Sequence, residues 1–186
     1  NKDGDYRAAS TYIEQAILID KSNTKDKTWR YRGEIYLNIS RDTSMTMEYP
    51  NALRISMESY LKATELDLKG RYEDEIKLGL AQVQLGANGK GISYYNTTSF
   101  DLAASSFDLA AEVARTFDIV DTMAVYNAAL CYEKADMTDM AIERYRDCAD
   151  IKYQVPNVFL FISTLYRNSD NDEEALKVLQ EARAVY

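Results

Sequence analysis

Apolar residues recur along the chain at spacings of four and three, in one pattern repeated five times. A small residue is followed after three residues by a large apolar one, and after two more by another small residue. It reads Ala9-Ile13-Ala16, Ser56-Tyr60-Ala63, Ala103-Phe107-Ala110, Ala141-Tyr145-Cys148 and Ala175-Leu179-Ala182. Such spacing puts all three side chains on one helical face. The small ends admit a second helix closely and the large centre fills the space beyond. Ahead of the last four copies lies a second pattern, in which small residues sit between large ones. It reads Trp29-Arg32-Gly33-Tyr36, Glu75-Leu78-Gly79-Gln82, Val125-Ala128-Ala129-Tyr132 and Phe159-Ile162-Ser163-Tyr166. Each unit is therefore two amphipathic helices, neither able to bury its apolar face alone.

The periodicity predicts helices over about 5–20, 26–39, 50–67, 71–86, 98–114, 120–135, 138–150, 156–168 and 172–186. Pro50 and Pro156 suit first-turn positions, where a missing N–H is harmless. Gly86 reads as a helix terminator. Asp170 to Glu174 supplies a cap and an acidic first turn.

These paired motifs resemble the tetratricopeptide repeat family, whose signature is W-x2-L-G-x2-Y followed by A-x3-F. The resemblance covers nearly the whole chain. Gly4-Asp5-Tyr6 matches the turn before a second helix, and Asp20 the end of one. Arg32 stands where Leu is usual and Gln82 where Tyr is usual. Successive second-helix motifs lie 47, 47, 38 and 34 residues apart. The family period is 34, so two adjacent repeats are each 13 residues too long. Most of the excess falls inside the hairpins, over 38–50 and 86–98.

The resemblance implies an all-α fold, a right-handed superhelical solenoid of four helical hairpins preceded by a lone second helix. One array is expected over 1–186, with a partial repeat at 1–21 and repeats at about 26–67, 71–114, 120–150 and 156–186. The motif phase at both ends, up to Tyr186, leads to the expectation of a segment from a longer protein. End-to-end self-association through open ends is a further expectation, because 172–186 carries Leu176, Val178, Leu179 and Val185.

Composition narrows the function. The formal net charge is −8, and no basic stripe relieves it, which argues against nucleic acid. No apolar run approaches the ~20 residues that span a bilayer. The compartment stays open. The chain has no histidine, which excludes Ser-His and Cys-His nucleophile pairs and the commonest zinc ligand.

Other motifs read as structure. Gly86-Ala-Asn-Gly-Lys-Gly-Ile-Ser93 lacks the Gly-Lys-Ser/Thr order of a phosphate-binding loop, and a plain loop is expected there. Asp170-Asn-Asp-Glu-Glu174 lacks the glycine of a calcium loop, since Ala175 takes its place. Cys131 and Cys148 fit the core as small hydrophobes, with a disulfide or a redox pair as the alternative. Tyr36, Tyr60, Tyr132, Tyr145 and Tyr166 occupy repeat slots and are expected in the core. Asn38-Ile-Ser40 and Asn96-Thr-Thr98 match the glycosylation acceptor pattern by chance. No enzyme activity and no cofactor is expected.

The expected function is binding of a protein or peptide partner. In the family, groove contacts come from first-helix residues turned away from the second helix. Carried over by spacing, these are Lys27, Arg30, Glu34 and Asn38, then Ile76, Leu80 and Gln84. Met123, Tyr126, Leu130 and Glu133 follow, and finally Asn157, Leu160, Thr164 and Arg167. Glu34, standing where an asparagine would be needed after Arg30, disfavours a clamp for a chain terminus. The apolar middle points to an apolar or amphipathic segment. The two long connections offer a second face, with Met45, Met47 and Tyr49 on one and Ile92, Tyr94 and Tyr95 on the other. The alternative is a structural spacer or regulatory segment whose groove is filled by its own chain.

Overall fold

The computed structural model of the chain describes residues 5–185, without the side chains of Asp20 and Val185. Gly4 of the expected opening turn and Tyr186 lie outside the described residues. Every regular element among the described residues is helical. They form two compact units, 1–87 and 88–186, in each of which helices near one another in sequence pack together.

The first unit opens with α1 (Tyr6–Ile17), capped by Asp5, which accepts from the Ala8 N–H at 3.0 Å. A single turn, α2 (Asp20–Asn23), leads to α3 (Asp26–Arg41). A 3-10 turn (Thr43–Met45) and a loop follow, then α4 (Ala52–Leu66). Pro50 precedes the Asn51 cap and so lies just outside the helix. α1 packs on α3 and α3 on α4. Ile13, Tyr36, Ile39, Met45 and Ala52 form one buried cluster. Arg32, in its unusual slot, donates from Nε to Glu14 on α1 at 2.8 Å and from Nη1 to Ser59 on α4 at 2.8 Å. It is thus a polar bridge between helices, where the family motif has an apolar contact.

α5 spans Glu73–Asn96, and here the expectation fails. Gly86 does not end the helix, and 86–93 is not a loop. None of Gly79, Gly86, Gly89 and Gly91 has a positive φ, so none serves as a left-handed cap. Three of them mark close approach instead. In the first unit a Cβ on Gly79 would meet the Tyr60 ring, and one on Gly86 would come 3.2 Å from Leu53. In the second unit a Cβ on Gly91 would come 2.7 Å from Phe107. The buried stripe runs through Ile76, Gly79, Leu80, Val83, Ala87 and Gly91. Glu75 and Leu78 are exposed, so the core register lies one residue away from the motif assigned by spacing.

In the second unit, α6 (Phe100–Arg115), α7 (Thr122–Lys134), α8 (Thr138–Asp150), α9 (Val155–Asn168) and α10 (Asp172–Val185) each pack on the next. Pro156 lies in the first turn of α9. Asn171 caps α10, accepting from the Glu174 N–H at 3.3 Å. Asp108 on α6 accepts from the Tyr132 hydroxyl of α7 at 2.7 Å and from Arg144 Nε of α8 at 2.8 Å. Cys131 and Cys148 are buried free thiols.

Five turns of this unit close alike. Thr98, Asp118, Asp136, Lys152 and Asp170 all have φ between 56° and 59°. Each is followed by an N–H that donates to a carbonyl five residues back, as Met137 does to Tyr132 at 3.0 Å and Asn171 to Tyr166 at 2.9 Å. That is the Schellman closure, usually reserved for glycine.

Candidate protein-binding faces

The expected groove residues separate into buried and exposed sets. Ile76 and Leu80 are buried and belong to the core, because the α5 stripe runs one residue out of the assigned register. Arg30 is also buried and internally satisfied. Its guanidinium lies 3.6 Å from the Tyr72 ring centroid, with Nε donating to Asp26 at 3.2 Å and Nη1 to Glu75 at 2.5 Å. Burial alone would pull its pKa down, but the two carboxylates reverse that and hold it above the ordinary value. Met45 points into the core cluster. Tyr49 packs against that cluster, its hydroxyl 3.1 Å from Ser10 Oγ. Of the three candidates on this connection only Met47 is turned outward, 94% exposed.

Lys27 and Glu34 stand exposed on α3. Asn38 is half-buried and donates to the Glu34 carbonyl at 2.9 Å. Glu34, Ile35, Asn38 and Tyr31 of α3 face Ala9, Ile13 and Ala16 of α1 across an open cleft of about 670 Å³.

In the second unit the surviving candidates converge. Ile92 and Tyr95 of α5 join Asn127 and Leu130 of α7 around a cleft of about 220 Å³, floored by Phe107 and Cys131. Two long-connection residues, Ile92 and Tyr95, and the groove residue Leu130 therefore meet at one place. Tyr94 is half-buried beside them in sequence. Lys134 lies 5.9 Å from the Tyr95 ring centroid and 5.6 Å from that of Phe100, a cation at the edge of an aromatic patch. Met123 and Leu160 are each 56% exposed on α7 and α9. Asn157, Thr164 and Arg167 on α9 are exposed too.

Tyr126 is half-buried in an aromatic ladder, with ring centroids 5.7 Å from Tyr153 and 6.3 Å from Tyr145. Burial pushes its phenol pKa up. The Tyr153 hydroxyl reaches Met123 Sδ at 3.1 Å. Glu133 accepts from the Tyr145 hydroxyl at 2.5 Å, so its carboxylate serves the hairpin interior. Spacing alone missed Asn127, Tyr153 and Lys134; the signal for Lys134 was its place one turn after Leu130. Among the described residues no cluster of three or more His, Cys, Asp or Glu could hold a metal ion, and no helix is long and apolar enough to cross a membrane.

No family model and no curated protein matches the chain. Among solved structures it is similar to MamA, residues 41 to the end, from Desulfovibrio magneticus RS-1. The two are 14% identical with a TM-score of 0.44, over 97% of this chain and 94% of that one.

Proposed function

We propose that this chain is a protein-interaction module of the tetratricopeptide type. It takes an apolar or amphipathic segment of a partner protein on the first-helix face of its second unit. The observation that carries this reading is the cleft between Ile92, Tyr95 and Leu130, with Met123 and Leu160 unburied on the neighbouring first helices. At about 220 Å³ the cleft is smaller than the ~300–1,000 Å³ typical of small-molecule sites. It suits one or two inserted apolar side chains, which is how groove-bound helices and peptides anchor. Adaptable Met and Tyr side chains around it fit the same use.

The test is selection of binders from a random peptide library displayed on phage, followed by titration calorimetry. Selected peptides should carry large apolar residues at helical spacing. Met123→Asp with Leu160→Asp, both on exposed positions, should weaken their binding without altering the helical circular dichroism. Peptides that bind the double variant undiminished would reject this face.

A further inference from the structure

α5 is apolar on two opposite faces. One is the buried stripe that runs through Ile76, Val83, Ala87 and Gly91. On the other side Leu78, Leu85 and Ile92 recur every seven residues and are 61%, 75% and 56% exposed. With 3.6 residues per turn, these three fall within about 40° of one another around the axis. From Leu78 to Asn96 the only charged residue is Lys90, half-buried toward the packed side. The pattern lies on one continuous helix and needs no other element to define it. Gly89 sits in the middle of the exposed face. Gly79, Gly86 and Gly91 each admit a neighbouring side chain, but a Cβ on Gly89 would meet nothing within 4 Å, and its φ is not positive. Glycine inside a helix is destabilising, and the protomer itself gives this one no use. A backbone approaching the open face from outside the protomer would.

The order of the residues identifies what approaches. Counted outward from Leu85, the face reads alike in both directions, with Gln82 and Asn88 at three, Ala81 and Gly89 at four, and Leu78 and Ile92 at seven. A second α5 laid antiparallel, with Leu85 on the two-fold axis, sets amide opposite amide, small opposite small and large opposite large. A symmetric dimer requires such a self-complementary patch, whereas an unrelated segment requires no mirror order. We propose that the chain forms a symmetric dimer by antiparallel pairing of α5 with the α5 of a second copy. Ala81 and Gly89 let the two backbones approach closely. Gln82 and Asn88, held within their own units by Arg41 at 2.9 Å and Asp121 at 3.4 Å, edge the contact. Ile92 also lines the cleft of the second unit, so pairing and ligand binding compete there, and the dimer is tested on the chain alone.

Sedimentation equilibrium of the full chain should show monomer and dimer in exchange at roughly micromolar concentration, because one helix pair is a small interface. Leu85→Glu sets two like charges on the axis and should raise the dissociation constant at least about tenfold. Leu78→Glu replaces it if that variant loses helical circular dichroism. Gly89→Ala should weaken the dimer at least about fivefold, while the dilute monomer gains stability from the better helix former. Disulfide cross-linking under mild oxidation reports the direction of pairing. Leu85→Cys should cross-link to its own copy. Leu78→Cys should cross-link to Ile92→Cys and not to itself, since its own copy lies about 21 Å away along the helices. A chain that stays monomeric up to about 100 µM would overturn the proposal. So would a dimer indifferent to Leu85→Glu or to Gly89→Ala, as end-to-end association would be, or a Leu78→Cys chain that cross-links to itself.

Discussion

Substituting two glycines of one helix should change stability in opposite directions. Both Gly79 and Gly89 lie inside α5, so changing either to alanine gains roughly 0.5–1 kcal/mol of helix propensity. At Gly89 a Cβ meets nothing within 4 Å, and that gain stands alone. At Gly79 the Cβ would press on the Tyr60 ring, which is buried. The ring cannot retreat, because a Cβ on Gly33 would meet its Cε2 at 2.9 Å from the other helix. Overpacking of this kind costs about 1–3 kcal/mol. Gly79→Ala should therefore destabilise by up to about 2 kcal/mol net, and Gly89→Ala should stabilise by about 0.5–1 kcal/mol. Urea unfolding followed by circular dichroism measures both. A double-mutant cycle with Tyr60→Leu isolates the cause, since the penalty at Gly79 should vanish once the ring is gone, giving a coupling of roughly 1–3 kcal/mol. If Gly79→Ala stabilises as much as Gly89→Ala, α5 does not approach α4 as described.

Thr98→Gly and Lys152→Gly should each stabilise by about 1 kcal/mol, because a left-handed conformation penalises side chains with a Cβ; a loss in thermal unfolding would contradict the turn geometry. Arg30→Leu should cost roughly 1–3 kcal/mol by leaving Asp26 and Glu75 without their partner, yet leave peptide binding on the second unit unchanged in calorimetry. Burial pushes the Cys131 thiol up to about 11 and the Cys148 thiol up to about 12. Both should thus resist iodoacetamide at pH 8 in the native chain and react once urea unfolds it. Since the folded state holds these protons more tightly, their contribution is complete below the ordinary thiol pKa and is lost as pH rises through 9 toward 11 and 12. A stability curve that rises over that range would refute the assignment.

The hairpins were legible because their evidence is redundant. Five copies of the second-helix pattern outvote any irregular residue, and Tyr60, Phe107 and Tyr145 are buried as their slots require. α5 was harder to read because glycine has two uses. A glycine that ends a helix and one that lets another helix approach are the same letter, and only φ or the neighbour distinguishes them. The distinguishing sign was present in Ile76, Leu80, Val83, Ala87 and Gly91, whose spacing of three and four passes straight through the glycines. The site was less legible for a related reason. Ile76 and Met123 are both apolar residues on first helices, and only the local register buries one and exposes the other. Glu34 was named for the groove, but its place opposite α1 depends on packing that spacing does not encode.

The five backbone-closed turns of the second unit make its joints interchangeable. Threonine, lysine and three aspartates hold the same conformation with the same pair of hydrogen bonds, so the joint asks for no particular side chain. Mutational drift can then rewrite these positions at about 1 kcal/mol each while the helices on either side keep their angle. A hairpin bounded by two such joints is a cassette that can be duplicated, deleted or exchanged without redesigning its neighbours' ends. An ancestry of such swaps would leave the geometry intact and the letters unrecognisable.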